Sequence, residues 1–150
     1  MTQELPYILV VDDDPDDSGI ICKALDELGG VYCTVVNYGE GVIDFLNQSI
    51  LNGKFPSLVI LDFNMPRING DRLLSLIKRN ENFKDLPVII YSTYLPIQLR
   101  EILLSQGALE CYVKPTNYAT LLDQTKVFKE LALNFFKMSN ATYNCKANAE

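Results

Sequence analysis

The sequence contains no histidine. That removes the usual general base and the middle member of most catalytic triads, so any chemistry must run on carboxylates, hydroxyls, lysine or a hard metal ion. Its four cysteines, Cys22, Cys33, Cys111 and Cys145, are scattered without a CxxC pair. Neither a disulfide scaffold nor a zinc site is expected from them, and a reducing, cytoplasmic setting is. No apolar run approaches the roughly 20 residues that a membrane helix needs. The start, Met1-Thr2-Gln3-Glu4, lacks a basic segment followed by an apolar one, so no secretory signal is read there. Basic residues are also scarce: 13 Lys and Arg against 19 Asp and Glu leave a net charge of −6, which argues against nucleic acid as a partner.

What remains is an ordinary globular composition, 48% hydrophobic and 21% charged, in a chain of one-domain length. The stretch from Leu58 to Gly70 organises it. Leu58-Val59-Ile60-Leu61 reads as a strand buried on both faces; it ends in Asp62, and a loop with Asn64, Pro66 and Gly70 follows. Residues 7–11 make a similar strand and end in Asp12-Asp13-Asp14. Asp14 suits an N-cap with Pro15 at the first helical position, and Asp16 and Asp17 offset the helix dipole. That account has no use for Asp12 and Asp13, which sit at the strand's own end.

Helix 1 runs to about Leu28, where Gly29-Gly30 stops it. A second strand covers Val31 to Asn37, and a second helix runs from about Gly39 to Gln48. After Gly70 a third helix presents Leu73, Leu74 and Ile77 and ends near Asn80. Val88 to Tyr91 forms a fourth strand ending in Ser92-Thr93, and Pro96 opens a fourth helix through Gln106. Cys111 to Val113 is a short fifth strand ending in Lys114-Pro115. The last helix is expected from Asn117 to Met138, with residues 139–150 as a frayed tail and 1–138 as the domain.

Five βα repeats predict an α/β fold, a doubly wound five-stranded parallel sheet with helices on both faces. Parallel strands bring all their carboxyl ends to one edge, where ligands bind in such sheets. Asp12-Asp13, Asp62, Ser92-Thr93 and Lys114 therefore converge. Three clustered carboxylates need a cation, and oxygen donors suit Mg²⁺. One Mg²⁺ and Lys114 would balance their charge, so a phosphoryl group could be received. A carboxylate can take such a group as an acyl phosphate, a transfer that demands positioning and neutralisation more than a general base.

Val10-Val11-Asp12-Asp13-Asp14, Leu61-Asp62-Phe63-Asn64-Met65-Pro66 with Gly70, Pro87-Val88-Ile89-Ile90-Tyr91-Ser92 and Val113-Lys114-Pro115 resemble the receiver domain of two-component response regulators. The resemblance covers roughly residues 5–130 and implies a flavodoxin-like (βα)5 fold with strand order 2-1-3-4-5. It implies that Asp62 is the phosphoacceptor, that Asp12, Asp13, Asp62 and the Asn64 carbonyl hold Mg²⁺, and that Ser92, Thr93 and Lys114 meet the phosphoryl group. It further implies a cis Lys114–Pro115 bond, a histidine kinase or phosphotransfer protein as donor, and a downstream protein partner or a homodimer through helix 4, strand 5 and helix 5. No separate substrate turnover is implied, and a stand-alone regulator or phosphorelay intermediate is expected.

Phosphorylation adds about −1.5 to −2 charges. A full two-state reversal takes about 5.5 kcal/mol, whereas one charge-assisted hydrogen bond supplies roughly 1.5–3 kcal/mol. Ser92, Lys114 and the metal must therefore act together. Two residues depart from the family pattern. Cys111 stands three before the lysine, where an aromatic is usual, and Tyr94 is expected to cover the site in part. A Mg²⁺-dependent phosphohydrolase would need a second acid two residues after Asp62, and Asn64 stands there.

Overall fold

The computed structural model describes residues 4–148. Its elements follow the order β1 (Tyr7–Val11), α1 (Pro15–Leu28), β2 (Tyr32–Val36), a single 3-10 turn at Gly39–Gly41, α2 (Val42–Leu51), β3 (Leu58–Asp62), α3 (Gly70–Arg79), β4 (Val88–Ser92), α4 (Ile97–Ser105), β5 (Glu110–Val113) and α5 (Tyr118–Asn148). All strand pairs are parallel, and the sheet order is β2-β1-β3-β4-β5. The expected architecture is the observed one.

Two apolar layers sandwich the sheet because side chains alternate along each strand. Leu9, Val11, Val59 and Leu61 pack with α2, α3 and α4 through Leu46, Leu74, Ile77 and Leu103. Ile8, Val10, Ile60 and Ile89 pack on the opposite face with Ile21 and Leu25 of α1 and Phe128 and Ala132 of α5. Strands β1, β3 and β4 are buried at every position, as strands covered on both faces must be.

The local signals act as the sequence suggests. Asp14 caps α1, its side chain accepting from the Asp16 amide at 2.9 Å with Pro15 at the first turn. Asn69 caps α3 by accepting from the Arg72 amide at 3.0 Å. Gly29 ends α1 at φ 68°, in the left-handed region.

Three expectations are corrected. The last helix does not end at Met138: α5 continues through Asn148, so residues 139–148 are helical, and only 149–150 lie outside the described residues. Ser139 to Asn148 includes two alanines and neither proline nor glycine, so no stop signal exists there. The Lys114–Pro115 bond is trans, as is every peptide bond among the described residues. Trans is the intrinsically favoured isomer of an X–Pro bond, and Lys114 reaches its partners without the other. Finally, Cys22 on α1 and Cys33 on β2 form a disulfide, with Cα atoms 5.5 Å apart. Absence of a CxxC pair excluded too much. The tight α1–β2 return folds residues 11 apart in sequence onto each other. Cys111 is a buried free thiol, while the Cys145 side chain lies outside the described residues.

Candidate functional site

The carboxyl ends of β1, β3, β4 and β5 deliver one polar group each to a single basin. Asp12 and Asp62 are buried at the ends of β1 and β3, and Asp13 is exposed at the rim. Carboxylate oxygens of Asp12, Asp13 and Asp62 all lie within 4.8 Å of one another. Lys114 leaves β5 and lies across them. Its Nζ donates to Asp12 Oδ2 at 2.9 Å and to Asp17 Oδ2 at 2.9 Å, and stands 3.5 Å from Asp62 Oδ1.

Desolvation penalises the charged forms here. Burial pushes the Asp62 carboxyl up to about 6; the neighbouring Asp12 charge adds to the rise, and Lys114 opposes it. Burial likewise raises Asp12, against the hydrogen bond from Lys114. For Lys114, burial alone would favour the neutral amine, but the bonds to Asp12 and Asp17 prevail and hold it above the ordinary lysine range. One ammonium thus faces four acids, and the remaining negative charge invites a hard cation. The donor set is all oxygen, so the residues fit Mg²⁺. Receiver domains bind Mg²⁺ at an acidic pocket of this kind.

The loops are shaped to fit. The Asp12 carboxylate also accepts from the Asp14 amide at 2.9 Å, and Asp62 accepts from the Asn64 amide at 3.4 Å. After Pro66 the chain makes a γ-turn, Ile68 N–H donating to the Pro66 carbonyl at 2.8 Å across Arg67 at φ 69°. Gly70 then returns so close that a Cβ there would lie 2.8 Å from Phe63 Cα and 2.9 Å from the Asp62 carbonyl oxygen. Only glycine permits this approach.

Ser92 is fully buried, and its hydroxyl donates to the Tyr94 carbonyl at 3.0 Å. The Asn64 side-chain amide donates to the Ser92 hydroxyl oxygen at 3.5 Å, and the Tyr94 amide does so at 3.4 Å. Ser92 and Lys114 are joined through the main chain as well, Lys114 N–H donating to the Ser92 carbonyl at 2.8 Å. Thr93 is exposed. Tyr94 is 74% exposed.

The structure therefore brings together Asp12, Asp13, Asp62, Asn64, Ser92 and Lys114, with Thr93 exposed beside Ser92. Sequence reasoning missed Asp17, which it read only as a helix-dipole acid. Its position one turn beyond Asp13 on α1 was the available signal. At the position three before the lysine, Cys111 is buried in the layer beneath α2 to α4, while Tyr112 turns to the opposite layer, its ring 5.1 Å from that of Phe128. Tyr112 does not replace the missing aromatic, because adjacent strand residues face opposite ways.

Comparison with known proteins agrees with the geometry. A family model for the response regulator receiver domain matches residues 8–126. The chain is 30% identical over 132 residues to the two-component response regulator ARR9 of Arabidopsis thaliana, covering 77% of this chain and 56% of that protein. It is 29% identical over 151 residues to ARR7 of the same plant, covering 97% and 68%. Against the hybrid signal transduction histidine kinase D of Dictyostelium discoideum it is 28% identical but spans 7% of that protein's length. Among solved structures, the phosphorylated cyanobacterial phytochrome response regulator RcpA superposes with a TM-score of 0.77 at 25% identity, covering 87% of this chain and 95% of that one. The response regulator RPA3017, described in red light signalling of R. palustris, gives 0.74 at 26%, with 83% and 91% covered. With the matched model spanning both the acid basin and Lys114, the chain belongs to the response regulator receiver domain family, the switch module of two-component signalling.

Proposed function

We propose that Asp62 is the phosphoacceptor of this receiver, and that residues 1–138 make up the receiver unit. The observation carrying this reading is the grouping of Asp12, Asp13 and Asp62 within 4.8 Å beneath the Lys114 ammonium. An Asp62 oxygen attacks the phosphorus of a phosphohistidine on a histidine kinase or phosphotransfer protein, and the imidazole leaves. Asp12, Asp13, Asp62 and the Asn64 carbonyl would hold Mg²⁺, which when bound neutralises charge on the phosphoryl oxygens. Lys114 already touches Asp62 and need only lengthen that contact to pair with a phosphoryl oxygen. Ser92 supplies a hydroxyl whose proton now serves the Tyr94 carbonyl; turning it toward the new oxygens releases that loop.

Release of the loop at residues 93–96 moves the root of α4. On α4, β5 and the turn between them, Ile97, Ile102, Leu109 and Val113 are each about half or more exposed, which supports this face as the one whose contacts change, toward a downstream protein or a second copy. Described residues include no helix long and apolar enough to cross a membrane. The test is intact-mass measurement after incubation with Mg²⁺ and acetyl phosphate. One added phosphoryl group is expected on the parent and none on Asp62→Asn or on the parent in EDTA. Labelling that persisted in Asp62→Asn would overturn the assignment.

A further inference from the structure

Strand β2 closes one side of the sheet with unused hydrogen-bonding capacity. Tyr32 N–H donates to the Pro6 carbonyl at 3.2 Å, and the Val36 carbonyl accepts from Asp12 N–H at 3.3 Å. Both bonds face β1. Direction alternates residue by residue along a parallel pair, so Cys33 and Val35 turn their N–H and C=O groups away from β1. Among the described residues nothing takes up those groups. Soluble proteins usually blunt such an edge with lysine, proline or a bulge. The segment Tyr32-Cys33-Thr34-Val35-Val36 has neither lysine nor proline, and it pairs with β1 in unbroken register.

A cleft of about 510 Å³ lies beside this edge, with Val36, Tyr38 and Phe45 as its apolar wall. Its charged side chains, Glu40 and Asp44, are both acidic. A second hollow of about 250 Å³ shares Tyr38 and Glu40 with it and reaches Asp13 and Arg67. A third of about 220 Å³ shares Phe45 and Gln48 and reaches Lys54. Shared walls make these one trough along β2, acidic at its middle, with a cation at each end. Five strand residues at about 3.3 Å each give it room for a segment of five or six extended residues.

We propose that this trough binds an extended basic peptide segment of a protein partner, added to the sheet as a sixth strand on β2. Main-chain bonds to Cys33 and Val35 would supply affinity, and alternate side chains would supply selectivity: those facing the cleft are cationic, laying their aliphatic stems along Val36 and Phe45 and their charges at Glu40 and Asp44, while those between them point to the other face of the sheet. A second copy of this chain fits less well, because it would bring an equally acidic trough and a net charge of −6 to the contact. The trough meets the acid basin at Asp13, at its far end, whereas the main-chain pairing with β2 does not involve Asp62.

The experiment uses the full chain, labelled with ¹⁵N, and a capped octapeptide of alternating valine and lysine. At saturating peptide, amide exchange at Cys33 and Val35 is expected to slow at least tenfold. An alternating valine–glutamate peptide is expected to bind at least tenfold more weakly. N-methylation of alternate amides, on the side that faces β2, should abolish protection by the lysine peptide. The double variant Glu40→Lys/Asp44→Lys should reverse the charge preference. Absence of protection at Cys33 and Val35, equal binding of the two charge types, or a free protein that is already dimeric with those amides protected would each overturn the proposal.

Discussion

The ends of β1 and β4 do the same job, presenting a polar group at one edge of the sheet, and they are built in opposite ways. Asp12 is held from several directions: it accepts from its own loop at Asp14, receives Lys114 from β5, and neighbours Asp62 and Asp13. Ser92 is just as buried but uncharged, and its hydroxyl is held by longer, neutral bonds: it donates to the Tyr94 carbonyl at 3.0 Å and accepts from the Tyr94 amide at 3.4 Å and the Asn64 side chain at 3.5 Å, with Thr93 and Tyr94 in solvent. Charge has to be fixed in place to be tolerated in a buried basin. The loop after β4 rests on weaker bonds and is cheaper to move. The molecule separates these two characters between loops on either side of β3.

The contrast can be broken most severely at Lys114. Removing the one cation from a basin where Asp12 and Asp62 are buried is expected to cost about 3–5 kcal/mol, by analogy with other broken buried pairs. Denaturant unfolding of Lys114→Met in EDTA measures this, and Mg²⁺ should raise the Tm of the variant more than that of the parent. A loss below about 1 kcal/mol would show that charge does not lock the β1 side.

Gly70→Ala comes next. Its methyl group would press on the Phe63 and Asp62 main chain, and overpacking of this kind costs about 1–3 kcal/mol. Equilibrium unfolding checks the stability, and Mg²⁺ titration should show weaker binding because the acid loop shifts.

Asp62→Asn sharpens the comparison through pH. The folded Asp62 carboxyl is pushed up to about 6, above its ordinary value, so the folded state holds this proton more tightly than the unfolded chain. The stabilisation is fully present at pH values below the ordinary carboxylate range and is lost as pH rises through about 6. In EDTA at neutral pH the variant should therefore be more stable than the parent by about 3 kcal/mol, at roughly 1.4 kcal/mol per pH unit. The two curves should meet in acid. A difference that does not change with pH would remove the buried-charge account.

The smallest effect belongs to the loose side. Ser92→Ala loses the neutral hydroxyl bonds to the Tyr94 carbonyl, the Tyr94 amide and the Asn64 side chain, two of them long, expected to cost about 1 kcal/mol. Amide exchange at residues 93–95 should nevertheless quicken, while that of Asp14 should not. Equal acceleration at both loops would mean that they are not independently held.

How much of this was legible in the sequence depends on the range of the interaction. Fully apolar strands such as Ile8 to Val11 and Leu58 to Leu61 announce burial on both faces, and the alternation with helices leaves few topologies. From topology alone, Asp12, Asp13, Asp62, Ser92 and Lys114 converge. The unreadable parts were set by three-dimensional neighbours. Asp17 satisfies a helix N-terminus and Lys114 at once, and only the first role is local. The bond between Cys22 and Cys33 depends on how α1 lies along β2. The end of α5 was misplaced because small polar residues were taken as a stop, although alanine among them favours continuing.

That long terminal helix has a mechanical consequence. Phe135 packs on the apolar layer beneath α2 to α4, and α5 runs on for 13 residues to Asn148, about 20 Å at 1.5 Å per residue. A pivot of about 5° where α5 leaves β5 would sweep the far tip of the whole rod, some 46 Å away, through about 4 Å. Displacements too slight to notice beside Lys114 would thus be legible at the other extremity of the protein, where a receptor for them would find the greatest travel.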